Sequence, residues 1–172
     1  MKSHFLMKKN ETGSVPNKLR ENVAFRLETE RIRRKLTHKE FVILIRSGAP
    51  DERFSYGTYI KTHRRENNVT LRTLDHIAQT LGITIADLLY GEETAPDWAR
   101  KLDAAALRLR LSKQLEKARE SRGIPQVTFA KYLNIAEVTY GKIMHQKTNF
   151  TVDTVAVIAA GVGKSPVEFL FG

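Results

Sequence analysis

Residues 125–144 read PQVTFAKYLNIAEVTYGKIM, and this stretch predicts two short helices joined by a tight turn. Asn134 stands between the helices at a position that usually needs a left-handed backbone, which asparagine tolerates. Ile135 then fills the turn with an apolar side chain. The apolar inner faces, at helical spacing, comprise Phe129, Ala130 and Leu133 in the first helix and Tyr140 and Ile143 in the second.

The outward face of the second predicted helix is formed by Glu137, Val138, Gly141 and Lys142. The whole stretch resembles the Cro/CI-type (XRE-like) helix-turn-helix repressors of phages and bacteria. The resemblance extends over residues 111–171 without a gap, and Gln126 matches a residue that this family favours. It implies a five-helix, lambda-repressor-like domain whose third helix enters the major groove of DNA.

A second copy of the pattern lies earlier in the chain. VTLRTLDHIAQTLGITIADLLYG (69–91) aligns with FTVDTVAVIAAGVGKSPVEFLFG (150–172) at a constant offset of 81 residues. Further upstream the offset becomes 88, which indicates about seven extra residues in the first copy, near residues 47–53. We therefore expect an all-α chain built from two tandem five-helix lambda-repressor-like helix-turn-helix domains.

The repeat divides the chain into four predicted segments. They are a flexible basic arm (1–17), a first helix-turn-helix domain (18–91), a linker with the start of a long helix (92–106) and a second helix-turn-helix domain (107–172). Lys2, Lys8 and Lys9 supply the charge of the arm. Trp98 is expected to pack at the junction of the domains.

Local signals predict where the fourth and fifth helices of each copy begin and end. Thr70 and Thr151 are placed to cap the fourth helices, and Gly82 and Gly163 to end them. Capping boxes are predicted at the start of the fifth helices, from Thr84 to Asp87 and from Ser165 to Glu168, the second being nearer the Glu/Gln pattern.

The resemblance also implies which residues contact DNA. In the second copy, Glu137, Val138 and Lys142 face the bases, where they suit cytosine N4, a thymine methyl group and guanine. Phosphates and base edges at the groove wall are assigned to Gln126, Ala136, Thr139 and Asn149. The corresponding positions of the first copy are His38, Ser55, Tyr56, Gly57, Thr58, Lys61 and Asn68, and Arg64 and Arg65 follow at the helix end, where they suit phosphates.

Each copy departs from the family pattern. The second has Gln146 where the family often has glycine, and the first has Thr62 where an apolar residue is expected. The first copy also carries the insertion SGAPDER at residues 47–53. Both copies remain candidates for reading DNA, because the first is richer in phosphate-binding residues and the second is closer to the family.

Composition favours a polyanionic partner. The formal net charge is +10 and the isoelectric point about 9.9, with an excess of five positive charges in each half of the chain. Nucleic acid is the first partner this favours and an anionic membrane the second. The chain has no cysteine, which excludes disulfides and thiolate metal sites and fits a reducing cytoplasm. No apolar run approaches the roughly 20 residues that span a membrane.

These observations predict a sequence-specific, double-stranded DNA-binding transcriptional regulator of the cytoplasm, associated with the nucleoid. By resemblance it is a repressor of phage or mobile-element type. A pseudo-dimer of the two domains and a homodimer are both allowed. The alternative is a protein-interaction module, an antitoxin or anti-activator, in which one or both units no longer read DNA. No enzymatic activity, metal or cofactor is expected, since no nucleophile–base spacing, carboxylate pair or metal motif stands out.

Overall fold

A computed structural model describes residues 17–48 and 54–172, and within these ranges the chain forms α-helices and no strand. The predicted basic arm, with Lys2, Lys8 and Lys9, lies outside the described residues except for Asn17, as do residues 49–53 of the insertion. The described helices are α1 (Lys18–Arg33), α2 (His38–Gly48), α3 (Tyr56–His63), α4 (Leu71–Leu81), α5 (Ile85–Tyr90), α6 (Asp97–Arg100), α7 (Ala104–Glu120), α8 (Gln126–Tyr132), α9 (Glu137–Met144), α10 (Val152–Gly161) and α11 (Pro166–Phe171).

Helix bounds repeat along the chain at the offset that the sequence shows. Helices α3 and α9 each have eight residues, α5 and α11 each have six, and in both pairs the bounds differ by 81 residues. Helix α2 has 11 residues and α8 has seven. Within the described residues, four of the seven extra residues of the first copy therefore belong to α2.

The predicted ends of the fourth helices are confirmed. The Thr70 hydroxyl accepts a hydrogen bond from the Thr73 amide at 3.1 Å, and Thr151 does the same for Thr154 at 3.2 Å. Gly82 ends α4 with a positive φ of 65°. Gly163 has a φ of 75°, one residue beyond the C-cap of α10. A left-handed backbone suits glycine because it has no Cβ atom.

Only the first predicted capping box is complete. Thr84 and Asp87 exchange side-chain and backbone hydrogen bonds in both directions. In the second box the Ser165 hydroxyl accepts from the Glu168 amide at 3.2 Å, and no return bond from the Glu168 carboxylate is formed. The first capping box is therefore confirmed and the second is formed only in part, although its sequence is nearer the Glu/Gln pattern; Pro166 occupies the first helical position there.

The linker differs from its prediction. Residues 92–106 do contain the start of a long helix, as expected, but they also form the separate four-residue helix α6, which was not expected. Helix α7 begins only at Ala104, where the Asp103 carboxylate accepts from the Ala106 amide at 2.7 Å. Trp98, in α6, does lie at the junction, where its ring centroid is 6.2 Å from that of Phe171.

One apolar core runs through both sets of helices. The inner faces predicted for α8 and α9 are buried. The apolar residues at helical spacing in α4 and α10 are also buried, and Val162 directly after α10 is half-buried. Burial raises the pKa of Tyr59 and of Tyr140 to about 12. Thr62 is also buried, since its hydroxyl donates to the Thr58 carbonyl and accepts from the Asn67 amide. These bonds explain how a polar residue occupies an apolar position.

Residues with a left-handed backbone lie before α9 and after both α3 and α9. Asn134 has the predicted positive φ, at 55°, in the turn before α9. Gln146 after α9 has a φ of 55°, and Arg65, which is equivalent to it at the 81-residue offset, has a φ of 65°. The left-handed backbone at Gln146 accounts for the glycine that the family often has there.

The same ion pair fixes the turn after the first helix of each copy. The Arg31 guanidinium binds the Glu28 carboxylate and donates to the Leu36 carbonyl at 2.6 Å. Arg119, 88 residues later, binds Glu116 and donates to the Ile124 carbonyl at 2.7 Å. These guanidinium hydrogen bonds hold the pKa of Glu28 and that of Glu116 below the usual glutamate value.

Candidate nucleic-acid interface

Helix α9 presents three of its predicted DNA contacts to solvent. Glu137, Val138 and Lys142 are exposed, Val138 to 69%. Thr139 is half-buried, and Ala136 occupies the N-cap position without a side-chain hydrogen bond. Tyr140 and Ile143 hold the opposite side of the helix in the core. The outward face therefore combines one acidic, one apolar and one basic side chain.

Helix α3 presents a different set of exposed side chains. Ser55 caps the helix by accepting from the Thr58 amide at 3.1 Å. Tyr56, Gly57 and Lys61 are exposed along the helix. Arg64 and Arg65 are exposed directly after it, and no carboxylate in the described part of the chain pairs with either. This face is therefore the more basic of the two.

His38 and Gln126 begin the second helix of each copy but have different surroundings. Gln126 is exposed at the first position of α8. His38 is half-buried, with its Nδ1 atom 3.1 Å from the Tyr59 hydroxyl and its ring against His63. Gln126 is therefore free to contact a partner, whereas His38 also anchors α2 to α3.

Asn68 and Asn149 have a role that the sequence analysis missed. The Asn68 side-chain oxygen accepts from the Asp153 amide at 3.1 Å, and that of Asn149 accepts from the Arg72 amide at 3.2 Å. Asn149 also donates to the Thr70 hydroxyl at 3.0 Å. Both asparagines thus join the two halves of the chain. The recurrence of asparagine at the 81-residue offset was the sequence signal that could have indicated this structural role.

A short antiparallel pairing completes this junction. Thr70 and Thr151 form an isolated β-bridge. The Leu71 amide donates to the Phe150 carbonyl at 2.7 Å, and the Val152 amide donates to the Val69 carbonyl at 2.9 Å. Each bond maps onto the other when 81 residues are added or subtracted, so the pairing has an approximate two-fold axis.

Helix packing follows the same symmetry. Helix α1 packs on α10, and its equivalent α7 packs on α4. Each first helix therefore contacts the fourth helix of the other set.

One polar cluster breaks the symmetry: Arg20 pairs with Asp153, and Asn17 donates to Asp153 at 2.9 Å. Asn17, predicted as the end of a flexible arm, is buried here and caps α1 through the Leu19 amide.

A cavity of about 470 Å³ opens beside α3 at this junction. Its lining includes Thr58 from α3, the three polar residues Asn67, Asn68 and Asn149, and His76 from α4. Arg72 also lines it and is exposed. The space between α3 and the junction is thus bordered by amide and guanidinium donors, which suit an anionic partner.

Residues 115–169 match the helix-turn-helix family model. The match begins within α7 and ends within α11, so it takes in α8, the turn and α9. This part of the chain therefore contains the helix-turn-helix motif that the resemblance predicted. The match covers about a third of the chain and does not include the first copy. A comparison with curated proteins and one with solved structures gave no match.

The described residues also bear on membrane crossing and on metal binding. None of their helices combines the length and the apolar character that a membrane crossing requires. Within residues 17–48 and 54–172, no group of three or more histidine, aspartate or glutamate side chains is arranged to hold a metal ion.

Proposed function

We propose that this chain is a regulator that binds double-stranded DNA and reads its sequence with α9 and α3. The observation that carries the proposal is the exposed face of α9, which lies within the matched helix-turn-helix region. Short polar or charged side chains on an exposed helix are what major-groove reading requires. A repressor of phage or mobile-element type is the finer form of the proposal, and it rests on the family resemblance.

In this proposal, residues 18–91 and 107–172 are two helix-turn-helix domains that form a pseudo-dimer within one chain. The matched helix bounds and the symmetric pairing at Thr70 and Thr151 support it. Glu137, Val138 and Lys142 contact bases in one half-site, and Tyr56, Gly57 and Lys61 face them in the other. Contacts to phosphates and groove walls come from Gln126, Ala136, Thr139, Ser55, Thr58, Arg64 and Arg65, and from the exposed parts of His38, Asn68 and Asn149.

The distance along the chain is compatible with this arrangement. His63 at the end of α3 is seven residues from Thr70, and Met144 at the end of α9 is seven residues from Thr151. Seven residues reach at most about 25 Å, so the two helix ends lie within about 50 Å of each other. Half-sites one turn apart need recognition helices about 34 Å apart, which is inside this limit.

Selection from a random-sequence duplex pool at two salt concentrations tests the proposal. We expect binding that weakens with salt, because lysine and arginine displace counterions from phosphates, and an enriched motif that survives the higher salt. If binding is lost at the higher salt and no sequence is enriched, the basic residues attract polyanions only non-specifically. The regulator proposal would then fail.

Exposed apolar residues favour a protein-interaction module as the second candidate. Tyr132 on α8 is 57% exposed and Val138 on α9 is 69% exposed. Glu137 beside Val138 also repels a phosphate backbone. In this alternative the module binds another protein as an antitoxin or anti-activator. Affinity purification from host cells distinguishes the two, since a stoichiometric protein partner supports this candidate and recovery of DNA alone contradicts it.

A further inference from the structure

We propose that a single chain occupies its whole DNA site, and that the two half-sites of this site differ in sequence. The inference rests on the proposed function and deepens it, because it specifies the stoichiometry and the symmetry of the bound DNA. Two observations carry it: the symmetric junction is closed within one chain, and the exposed residues of α3 and α9 differ at defined positions.

The closed junction argues for one chain per site. The symmetric contacts use the backbone on both sides of the bridge between Thr70 and Thr151, and the side-chain oxygens of Asn68 and Asn149. The groups that would pair with a second copy in the same way are therefore already bonded within the chain. Asp153 adds contacts to Arg20 and Asn17, which further tie α1 to α10.

The two recognition helices share part of their exposed surface. Lys61 is equivalent to Lys142 at the 81-residue offset, and both are exposed in the last turn of their helices. Lysine at this place donates to guanine, so the same contact is available in both half-sites. The shared lysine predicts that the same base pair occurs once in each half-site, on either side of the centre of the DNA site.

The first turns of the two helices differ. Glu137 and Val138 on α9 correspond to Tyr56 and Gly57 on α3, and all four are exposed. Glutamate accepts from cytosine N4 and valine contacts a thymine methyl group, whereas glycine offers no side chain. Since these positions precede the shared lysines by four or five residues, a palindromic sequence cannot satisfy both helices equally.

The wild-type protein tests this inference in two measurements. We expect sedimentation of the complex with the selected duplex to give one chain per duplex. The selected sequence is expected to contain two unequal half-sites that share the lysine-contacted base pair. Two chains per duplex, or a selected perfect palindrome, would overturn this inference and leave DNA binding intact. Absence of binding to any duplex would overturn both this inference and the proposed function.

A double variant tests the assignment of α3 and α9 to different half-sites by mutation. Tyr56→Glu with Gly57→Val gives α3 the residues of α9, and a Cβ atom at Gly57 meets only the Ser55 hydroxyl, at 3.7 Å. The quantity measured is the affinity for a palindrome of two α9 half-sites divided by the affinity for the wild-type site. We expect this ratio to be about tenfold higher for the variant than for the wild-type protein, which is the effect of one good base contact.

The added negative charge needs a matched control. Thr29→Glu places one carboxylate on an exposed position of α1 that is not among the proposed DNA contacts. The control is expected to weaken binding to both duplexes alike and to leave their affinity ratio unchanged. A double variant that folds, by circular dichroism, yet keeps the wild-type ratio would contradict the assignment of Tyr56 and Gly57 to one half-site.

Discussion

Gly91 shows how one residue fixes the packing of two helices. It follows α5 with φ 68° and ψ −110°, a backbone conformation that residues with a Cβ atom rarely adopt. A Cβ atom there would lie 2.7 Å from the Asn22 Cα atom of α1. The Asn22 amide also donates to the Leu89 carbonyl at 2.7 Å in the same buried contact. The close approach of α1 and α5 therefore requires glycine.

Gly91→Ala is expected to lower the free energy of unfolding by about 2 kcal/mol, because the backbone is strained and Asn22 must move. Urea unfolding followed by circular dichroism measures the change. Gly141→Ala is the matched control, since a Cβ atom at Gly141 meets no other atom within 4 Å. That substitution should raise the free energy by about 0.5–1 kcal/mol through helix propensity. Equal effects of the two variants would contradict this interpretation.

Lys142→Ala tests a single proposed base contact. We expect the affinity for the selected duplex to fall by about 1–3 kcal/mol, with relaxed selectivity at one base pair. Fluorescence anisotropy against duplexes mutated at each position measures both effects. Lys113→Ala removes the same charge from the exposed side of α7 and should leave selectivity unchanged. A uniform loss across all duplexes would instead assign Lys142 to a phosphate.

At the scale of elements, local sequence signals predicted the helices well. Thr70, Thr151 and Gly82 act within one helical turn of their own position, so their effect can be read without knowledge of the fold. The separate helix α6 was not predicted, because the sequence of the linker (92–106) does not reveal that a short helix ends before α7 begins.

Contacts between residues far apart in the sequence could not be predicted from local sequence signals. Asn68 and Asn149 were assigned to DNA because their family positions lie near the groove wall, yet their side-chain oxygens bind backbone amides 85 and 77 residues away. Pairing between segments depends on how the two halves pack, and no local pattern encodes this. The exposure of α9 residues was predictable, since Tyr140 and Ile143 fix which side faces the core.

The ion pair of Glu116 with Arg119 gives the α7–α8 turn a pH dependence. The guanidinium lowers the pKa of Glu116 in the folded state. The resulting stability is present above the unfolded pKa of glutamate and is lost as the pH falls through the folded value. We expect Glu116→Gln to cost about 1 kcal/mol at neutral pH and close to nothing at strongly acidic pH.

Thermal unfolding over a pH series measures this effect, and Glu92→Gln, at an exposed position, is the control that should follow the wild type throughout. A constant difference between Glu116→Gln and the wild type at all pH values would show that the ion pair does not titrate as inferred. The side chain of Glu116 is 28% exposed, which keeps the expected effect modest.

At the scale of the whole molecule, the continuous core makes the two helix sets unfold together. Buried residues of α1 and α10 belong to the same apolar cluster as those of α4 and α7. The contact of Asp153 with Arg20 and Asn17 adds a polar tie, and the Arg20 side chain is only 12% exposed. The junction therefore contributes directly to the stability of both sets.

Asp153→Ala is expected to lower the free energy of unfolding by about 2 kcal/mol, because it leaves the Arg20 guanidinium partly buried without its partner. Calorimetry should still record one transition, with equal calorimetric and van't Hoff enthalpies. Glu92→Ala removes an exposed carboxylate and should leave the melting temperature within a degree or two, since such surface changes are small. Two separate transitions in the wild type would contradict the shared core.

Under the proposed function, the bridge between Thr70 and Thr151 also affects how the binding of the regulator to DNA depends on its own concentration. Two halves held in one chain stay together at any dilution, whereas separate subunits come apart when few copies are present. Occupancy of the site then rises hyperbolically with protein concentration and has no threshold set by subunit assembly. A gene under such control is tuned gradually, and a cell holding only a few molecules still has every one of them ready to bind.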